Sequence, residues 1–292
     1  MKRERGLAVV TALLVVAVAA SAAALMLSQQ SAMLDQTAMV ATRAQADAYA
    51  LAGIDWARGV LAEDQRKGAV DSLDEGWAQP IAALPVERAV VSGLIVDEQG
   101  KFNLNNLKAP SGQDLRIFRT LLNSLGLPAE ELLQAVQGWV GPEGAESAYY
   151  LSLPRPYRAA NREFAQVDEL YRVRGFDAAT VAKLRPFVTA LPGLRAINVN
   201  TAPDAVLMAI GATSGQVAEI KAWRANTPFK QVSEFTNLVP TLPPGTTGLD
   251  VKSSYFSVSV QVAQDDVRLA TDALVQRSDT GPPAIIWRRP RY

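Results

Sequence analysis

The carboxylate pairs Asp97-Glu98, Glu130-Glu131, Asp168-Glu169 and Asp265-Asp266 are the side chains best suited to acid–base chemistry in this chain. Adjacent carboxylates usually mark solvated turns or helix starts, and adjacency alone does not place two of them in one cleft. Other catalytic sets are missing, because the chain has no Cys and no His. That excludes thiol nucleophiles, disulfides and cysteine zinc sites, together with Ser-His-Asp triads and histidine metal sites. A metal here would take oxygen ligands, as calcium or magnesium does. The 292 residues carry zero formal net charge, with an isoelectric point near 6.4. Such a balance supplies no bulk field for nucleic acid or an anionic membrane. Trp56, Trp77, Trp139, Trp223 and Trp287 read as core or interface anchors. A non-enzymatic chain is expected.

The N-terminus opens with Lys2, Arg3 and Arg5 ahead of Gly6, and a nearly unbroken apolar run from Leu7 to Leu27 follows. At roughly 21 residues the run can span a bilayer, and the basic residues should keep its start in the cytoplasm. A cleaved secretory signal, a plain anchor and a short basic leader cut before the apolar run all fit the start of the chain. The continuation favours the last. No Pro or Gly lies between Leu7 and Ala52, and amphipathic spacing continues through Met33, Met39, Val40, Tyr49, Leu51 and Ile54. A helix of about 46 residues would be about 70 Å long. The first half would lie in lipid and the second would pack on a head.

Beyond this helix, Lys67 to Pro85 is rich in turn residues. Ala89–Val96 reads as a strand and Lys101–Leu107 as a second strand or its end, after the turn Asp97-Glu98-Gln99-Gly100. From about Pro110 to Pro240 the spacing is helical, with Thr201 a candidate N-cap. Alternation returns at Phe256, Val258, Val260 and Val262, turns at Gln264-Asp265-Asp266, and ends with a candidate edge strand at Ile285–Trp287. A sheet made from both ends of the head requires the helical block to be an insertion. The resulting fold is α+β: a long N-terminal helix on an antiparallel sheet, with a large all-α insertion. The expected division is 1–6 leader, 7–27 membrane helix, 28–66 outer helix, 67–109 first sheet part, 110–245 insertion and 246–292 second sheet part.

Several stretches resemble one family: Arg5-Gly6-Leu7-Ala8, Trp77-Ala78-Gln79-Pro80, Ile95 through Leu107, Tyr149-Tyr150-Leu151, Tyr157 through Arg162, and Ile197 through Pro203. Together they are similar to the K-type minor pseudopilins (GspK) of type II secretion, along most of the chain. The resemblance implies a type IV pilin-like head with a helical insertion. It implies cleavage between Gly6 and Leu7 by a prepilin peptidase and N-methylation of Leu7. It also implies partnership with the I-type and J-type minor pseudopilins, the major pseudopilin and the inner-membrane assembly platform. The expected location is a single-pass anchor in the bacterial inner membrane, with the head in the periplasm at the pseudopilus tip. Pilins carry Glu at the fifth mature position, where Thr11 stands here. A carboxylate lacking its partner is costly in lipid, so an uncharged residue suits a subunit with none ahead of it. The family also looks calcium-binding. Here Gly138 and Gly141 stand where aspartates are expected, leaving Glu143 and Glu146 either as ligands of a reduced calcium site or as what remains of a lost one. Val40, Leu51 and Ile54 are expected helix contacts with the partners.

Phe164-Ala165-Gln166-Val167-Asp168-Glu169-Leu170 repeats as Phe229-Lys230-Gln231-Val232-Ser233-Glu234-Phe235. This suggests two helix-hairpin-helix-like modules and a rival reading as a membrane-anchored DNA-binding protein of a competence-like system. The candidate hairpin Gly211–Gly215 is too long for phosphate binding and the nearby charges are mixed, so nucleic acid is not the expected partner.

Overall fold

The computed structural model describes residues 3–68, 70–142, 147–242, 246–278 and 281–291. Helix α1 (Arg3–Lys67) runs for 65 residues. It passes through Gly53, and this glycine serves packing. A Cβ there would come within 3.0 Å of Val260 Cγ1, at the point where helix and sheet touch.

The remaining elements follow in chain order. First come β1 (Ile81–Val86) and β2 (Ala89–Asp97). The chain then departs through β3 (Phe102–Asn103), α2 (Gly112–Ser124), α3 (Ala129–Val140), α4 (Ser147–Leu151), α5 (Ala178–Leu184) and β4 (Val188–Thr189). It continues through β5 (Ile197–Asn198), α6 (Asp204–Ile210), α7 (Ser214–Arg224), α8 (Val232–Leu238) and β6 (Leu249–Asp250). Finally it returns with β7 (Tyr255–Gln264), β8 (Val267–Gln276) and β9 (Ala284–Arg291). The main sheet is antiparallel in the order β1-β2-β7-β8-β9, so β2 and β7, far apart in sequence, are central neighbours. Strand β1 falls in the stretch read as turns. It is an edge strand containing Pro85 with a register shift between Ile81 and Leu84, and its middle residues are exposed. A strand without a buried face leaves no alternation to read. Of Lys101–Leu107, read as a second strand or its end, only Phe102–Asn103 is strand, and Leu104–Lys108 forms a 3-10 helix.

Among the described residues two large hydrophobic cores form, with a small third cluster of Leu191, Tyr255 and Leu274 between the insertion and the sheet. In one, Ala46, Ala50, Ile54, Ala57 and Leu61 lie on one helical stripe against Phe256, Val258, Val260, Val262, Ala273 and Val275 of the sheet. The alanines let the helix approach closely, and most of the bulkier residues in the expected stripe face elsewhere. Val40 is 69% exposed and Leu51 40%, whereas Ile54 is fully buried. Ile54 therefore belongs to the head's own packing and leaves the expected contact set. Nearer the N-terminus, the apolar side chains of α1 from Val9 to Val40 are exposed, on a helix long and apolar enough to cross a membrane.

The second core, built around Phe118, Val136, Tyr150, Leu184, Leu207 and Phe235, belongs to the insertion. The insertion is made of two units that repeat one pattern. In each, a two-residue strand opens the unit and pairs in parallel with a short strand at its end: β3 with β4, and β5 with β6. The first asparagine accepts a bond from the backbone of the second, Asn103 from Asn105 N and Asn198 from Asn200 N. The second asparagine then clamps a phenylalanine backbone at both ends. Asn105 accepts from Phe164 N at 2.7 Å and donates to Phe164 O at 3.0 Å. Asn200 does the same to Phe229 at 2.8 and 3.0 Å. Glycines at positive φ, Gly126 (66°) and Gly211 (137°), precede the second helix of each pair. Those helices end near Trp139 and Trp223, whose carbonyls accept from Asn161 N and Asn226 N at 2.9 and 3.0 Å.

Candidate functional site

The insertion leaves the sheet after Asp97 and rejoins it at Tyr255, and a buried polar network ties these two crossings together. Asp97 Oδ2 accepts from Ser253 Oγ (2.6 Å), Thr201 Oγ1 (2.5 Å) and Asn198 Nδ2 (3.0 Å), and Oδ1 accepts from Gln99 N (2.8 Å). Burial pushes the Asp97 carboxyl up to about 6 against the pull of these donors. Thr201 is thus committed to Asp97 and is not the cap of α6, whose N-cap is Pro203. Gly100 is required at this crossing, since a Cβ would meet the Thr201 carbonyl oxygen at 2.9 Å. Asn198 Nδ2 also donates to Asp71 O at 3.0 Å, and Asp71 Oδ2 accepts from Ser253 N at 2.7 Å. The network therefore joins the segment after α1 to both crossings.

Asp64, Asp71 and Glu75 bring carboxylate oxygens within 4.8 Å of one another. The Arg277 guanidinium, 7% exposed, bonds Asp64 at 2.9 Å and also Asp71. Glu75 accepts from Trp77 Nε1 at 2.7 Å and Ser72 N at 3.0 Å. Burial raises the carboxyls of Asp64 and Glu75. An arginine already supplies the cation here, so the cluster acts as a buried ion-pair network that fixes the end of α1 to the sheet.

The residues expected to act chemically are dispersed. Glu98 bonds Lys101 and Ser257, each at 2.7 Å, while its neighbour Asp97 faces the junction. Glu130 pairs with Arg119, Asp168 with Arg185 and Arg289, Glu169 with Arg162, and Asp265 with Arg88. Glu98 and Asp168 line one cavity together with Asp272, but each is already bonded to a cation there. Glu143 and Glu146 lie outside the described residues. Beside them, Gly138 and Gly141 offer no side-chain ligand, and the Gly141 carbonyl is taken by Asn161 Nδ2 at 2.8 Å. Thr11 Oγ1 donates to the Ala8 carbonyl at 3.0 Å, inside the exposed apolar helix. Gly6 and Leu7 lie in the first turns of α1, and their side chains are outside the described residues. In the second unit, Ser214 and Gly215 already belong to α7, so the turn is only Gly211-Ala212-Thr213. The cations around it are engaged internally: Lys221 with Asp204 at 3.0 Å, and Arg224 with the Val199 and Ala202 carbonyls.

A helix long and apolar enough to cross a membrane at one end, and packed into the core of an antiparallel head at the other, has a pilin-like build. Comparison with known proteins makes the assignment specific. Residues 100–193 and 197–259 match two family models, both described as type II secretion system (T2SS), protein K. The boundary between the matches falls between the two repeated units. A type II secretion system protein K of Pseudomonas aeruginosa is 33% identical over 98% of this chain and 92% of its own. Its counterpart in Aeromonas hydrophila is 31% identical over 94% of each. The chain belongs to the type II secretion system protein K family. Its fold matches a chain in the crystal structure of the GspK-GspI-GspJ complex from enterotoxigenic Escherichia coli. The TM-score is 0.76 at 23% identity, covering 85% of this chain and 96% of that one.

Sequence reasoning missed Asp71, Ser253 and Arg277, because no local pattern links positions so far apart. The paired Asn105 and Asn200 were findable, since Asn-x-Asn precedes the repeated phenylalanine motif in both units, although by 59 residues in the first and 29 in the second.

Proposed function

We propose that this chain is the minor pseudopilin that caps the tip of a type II secretion pseudopilus and starts its assembly with I-type and J-type partners. The observation that carries the reading is where the insertion sits. The end of the sheet nearer the apolar segment is marked by Tyr49 bonded to Glu87 at 2.7 Å and by Gln45 bonded to Gln264 at 2.7 Å. The other end is marked by Asp64 and Asp71 bonded to Arg277, and both crossings into the insertion lie there. The insertion thus stands over the far end of α1, where a further subunit would stack.

In this reading residues 1–6 form a leader removed by prepilin peptidase, and Leu7 becomes the methylated N-terminus. Residues 7–27 hold the chain in the inner membrane as its single span, and 28–66 with the head lie in the periplasm. The sheet parts are 67–109 and 246–292. The helical part of the insertion, 110–245, is not all-α as expected, since it holds the two-residue strands β4 and β5, and it lies within the longer stretch 98–254 that leaves and rejoins the sheet. Its two units are diverged helix-hairpin-helix-like modules used as structure, as the mirrored asparagine clamps support. The complex named for the solved relative supports the I-type and J-type partners. The major pseudopilin and the assembly platform follow as the filament body and its base. Thr11 in place of the pilin glutamate suits a first subunit, and no catalytic step is assigned to the chain.

Two measurements test this. The mature protein from its host should begin at methylated Leu7 only when the peptidase is present, and an intact Met1 would remove the prepilin reading. Gold-labelled heads should decorate one end of each pseudopilus. Labels spread along the filament would mean a shaft subunit.

A further inference from the structure

The two insertion units differ sharply in the length of chain between the tryptophan and the asparagine that bonds its carbonyl. In the second, only Arg224 and Ala225 separate Trp223 from Asn226, and Trp223 remains 43% exposed, stacked on Phe229 at 5.7 Å. In the first, residues 140–160 intervene between the equivalent Trp139 and Asn161. Tyr150 and Tyr157 close over Trp139 at 5.3 and 6.2 Å, leaving it 3% exposed. Covering one tryptophan does not require large apolar groups on the outer side. Yet Tyr149, Leu151 and Tyr157 are 38, 50 and 37% exposed, beside Tyr171 at 51%. The patch is fixed in place. Tyr157 Oη donates to the Arg172 carbonyl at 2.8 Å, Arg174 N donates to Tyr150 Oη at 3.2 Å, and the Arg174 guanidinium lies 5.2 Å from the Tyr149 ring centroid. Tyrosine and arginine dominate binding energy at protein interfaces. Rigid rings bury area at little entropy cost, and guanidinium matches carboxylate geometry.

Charge selects the partner. Among the described residues, the acids that follow the segment are already engaged: Glu163 with Lys108, Asp168 with Arg185 and Arg289, and Glu169 with Arg162. Arg155 and Arg172 are exposed and form no ion pair among the described residues. We propose that the segment Ala148–Ala160, with the turn Tyr171–Arg174 beside it, is a docking surface for an acidic protein partner. Arg155 and Arg172 meet its carboxylates, and the exposed tyrosines pack on its apolar side chains. Duplex nucleic acid fits less well, because phosphate tracking needs a longer basic stripe than these side chains provide.

The test uses the full chain in non-ionic detergent and fluorescence anisotropy of a labelled glutamate–tyrosine copolymer. A lysine–tyrosine copolymer and a short DNA duplex serve as the other probes. The acidic copolymer should bind, more weakly as salt rises. The double substitution Arg155→Glu with Arg172→Glu should weaken it at least about tenfold, and Tyr171→Ala should weaken it too, with unchanged melting temperatures. If the double variant melts early, Arg155→Ala alone decides, since that side chain is exposed and forms no ion pair among the described residues. Absence of binding, binding indifferent to these substitutions, or equal binding of the basic copolymer or the duplex would overturn the proposal.

Discussion

Asp97 decides how tightly the insertion is joined to the sheet. Its folded carboxyl, raised to about 6 from 3.8, prefers its proton more than the unfolded one does. The stability tied to that proton is therefore complete below about pH 3.8 and is lost as pH rises through about 6. Asp97→Asn removes this dependence. The melting temperature of the parent, relative to this variant, should fall between about pH 4 and 7. A difference that stays flat would mean the four donors keep Asp97 ionised throughout. The asparagine clamps make a second residue-scale prediction. Asn105→Ala or Asn200→Ala leaves a buried N–H and C=O of Phe164 or Phe229 unpaired, costing about 3 kcal/mol each, read from the urea midpoint of the full chain. Both asparagines were visible in the sequence as parts of motifs, but their partners 59 and 29 positions away were not. Thr201 shows the same gap: its type and spacing fit a cap, while its actual acceptor lies on another strand.

At the scale of elements, α1 carries two surfaces with different fates. The Ala46, Ala50, Ile54, Ala57, Leu61 stripe is committed to the sheet, and the face bearing Val40 and Leu51 is not. Ile54→Ala should cost roughly 3 kcal/mol through the cavity it leaves. Val40→Ala should stay within about 0.5 kcal/mol. Equal effects in thermal melts would mean the head does not dock on α1 as described. The helix itself was legible from the lack of breakers and from its period. Its buried stripe was not, because alanine carries little hydrophobic signal and close approach to a sheet is a property of the pair. Strand β1 was hidden for the opposite reason: it buries too little to need alternation. The hairpin at Asp265-Asp266 and the inward face of β7 were readable, since turn type and a period of two are local properties.

For the whole molecule, the far-end position of the insertion makes a statement about assembly. The chain has no native cysteine, so single cysteines report contacts cleanly. Val40→Cys should cross-link to the helix of a co-expressed I-type or J-type partner, while Ile54→Cys should not, because that position is fully buried in this chain. Efficient cross-linking at 54 would mean the head opens on assembly. The two-unit insertion also predicts that loss of one clamp weakens its own unit first. Hydrogen exchange should rise around Phe229 in Asn200→Ala before it rises around Phe164.

The sequence by itself determined the absence of thiol and imidazole chemistry, the membrane-length helix, the split sheet with its helical insertion, and the family that the motifs resemble. These follow from composition and from periods that a few neighbouring residues encode. Only the tertiary structure decided that Asp97, Asn198, Ser253, Asp71 and Arg277 form one junction. It also showed that Ile54 is core, that the carboxylate pairs diverge, and that the insertion is built twice on the same asparagine clamp. Period and propensity report whether a side chain will be buried. Which distant group it meets there depends on how elements pack, and that is settled only when the whole chain closes on itself.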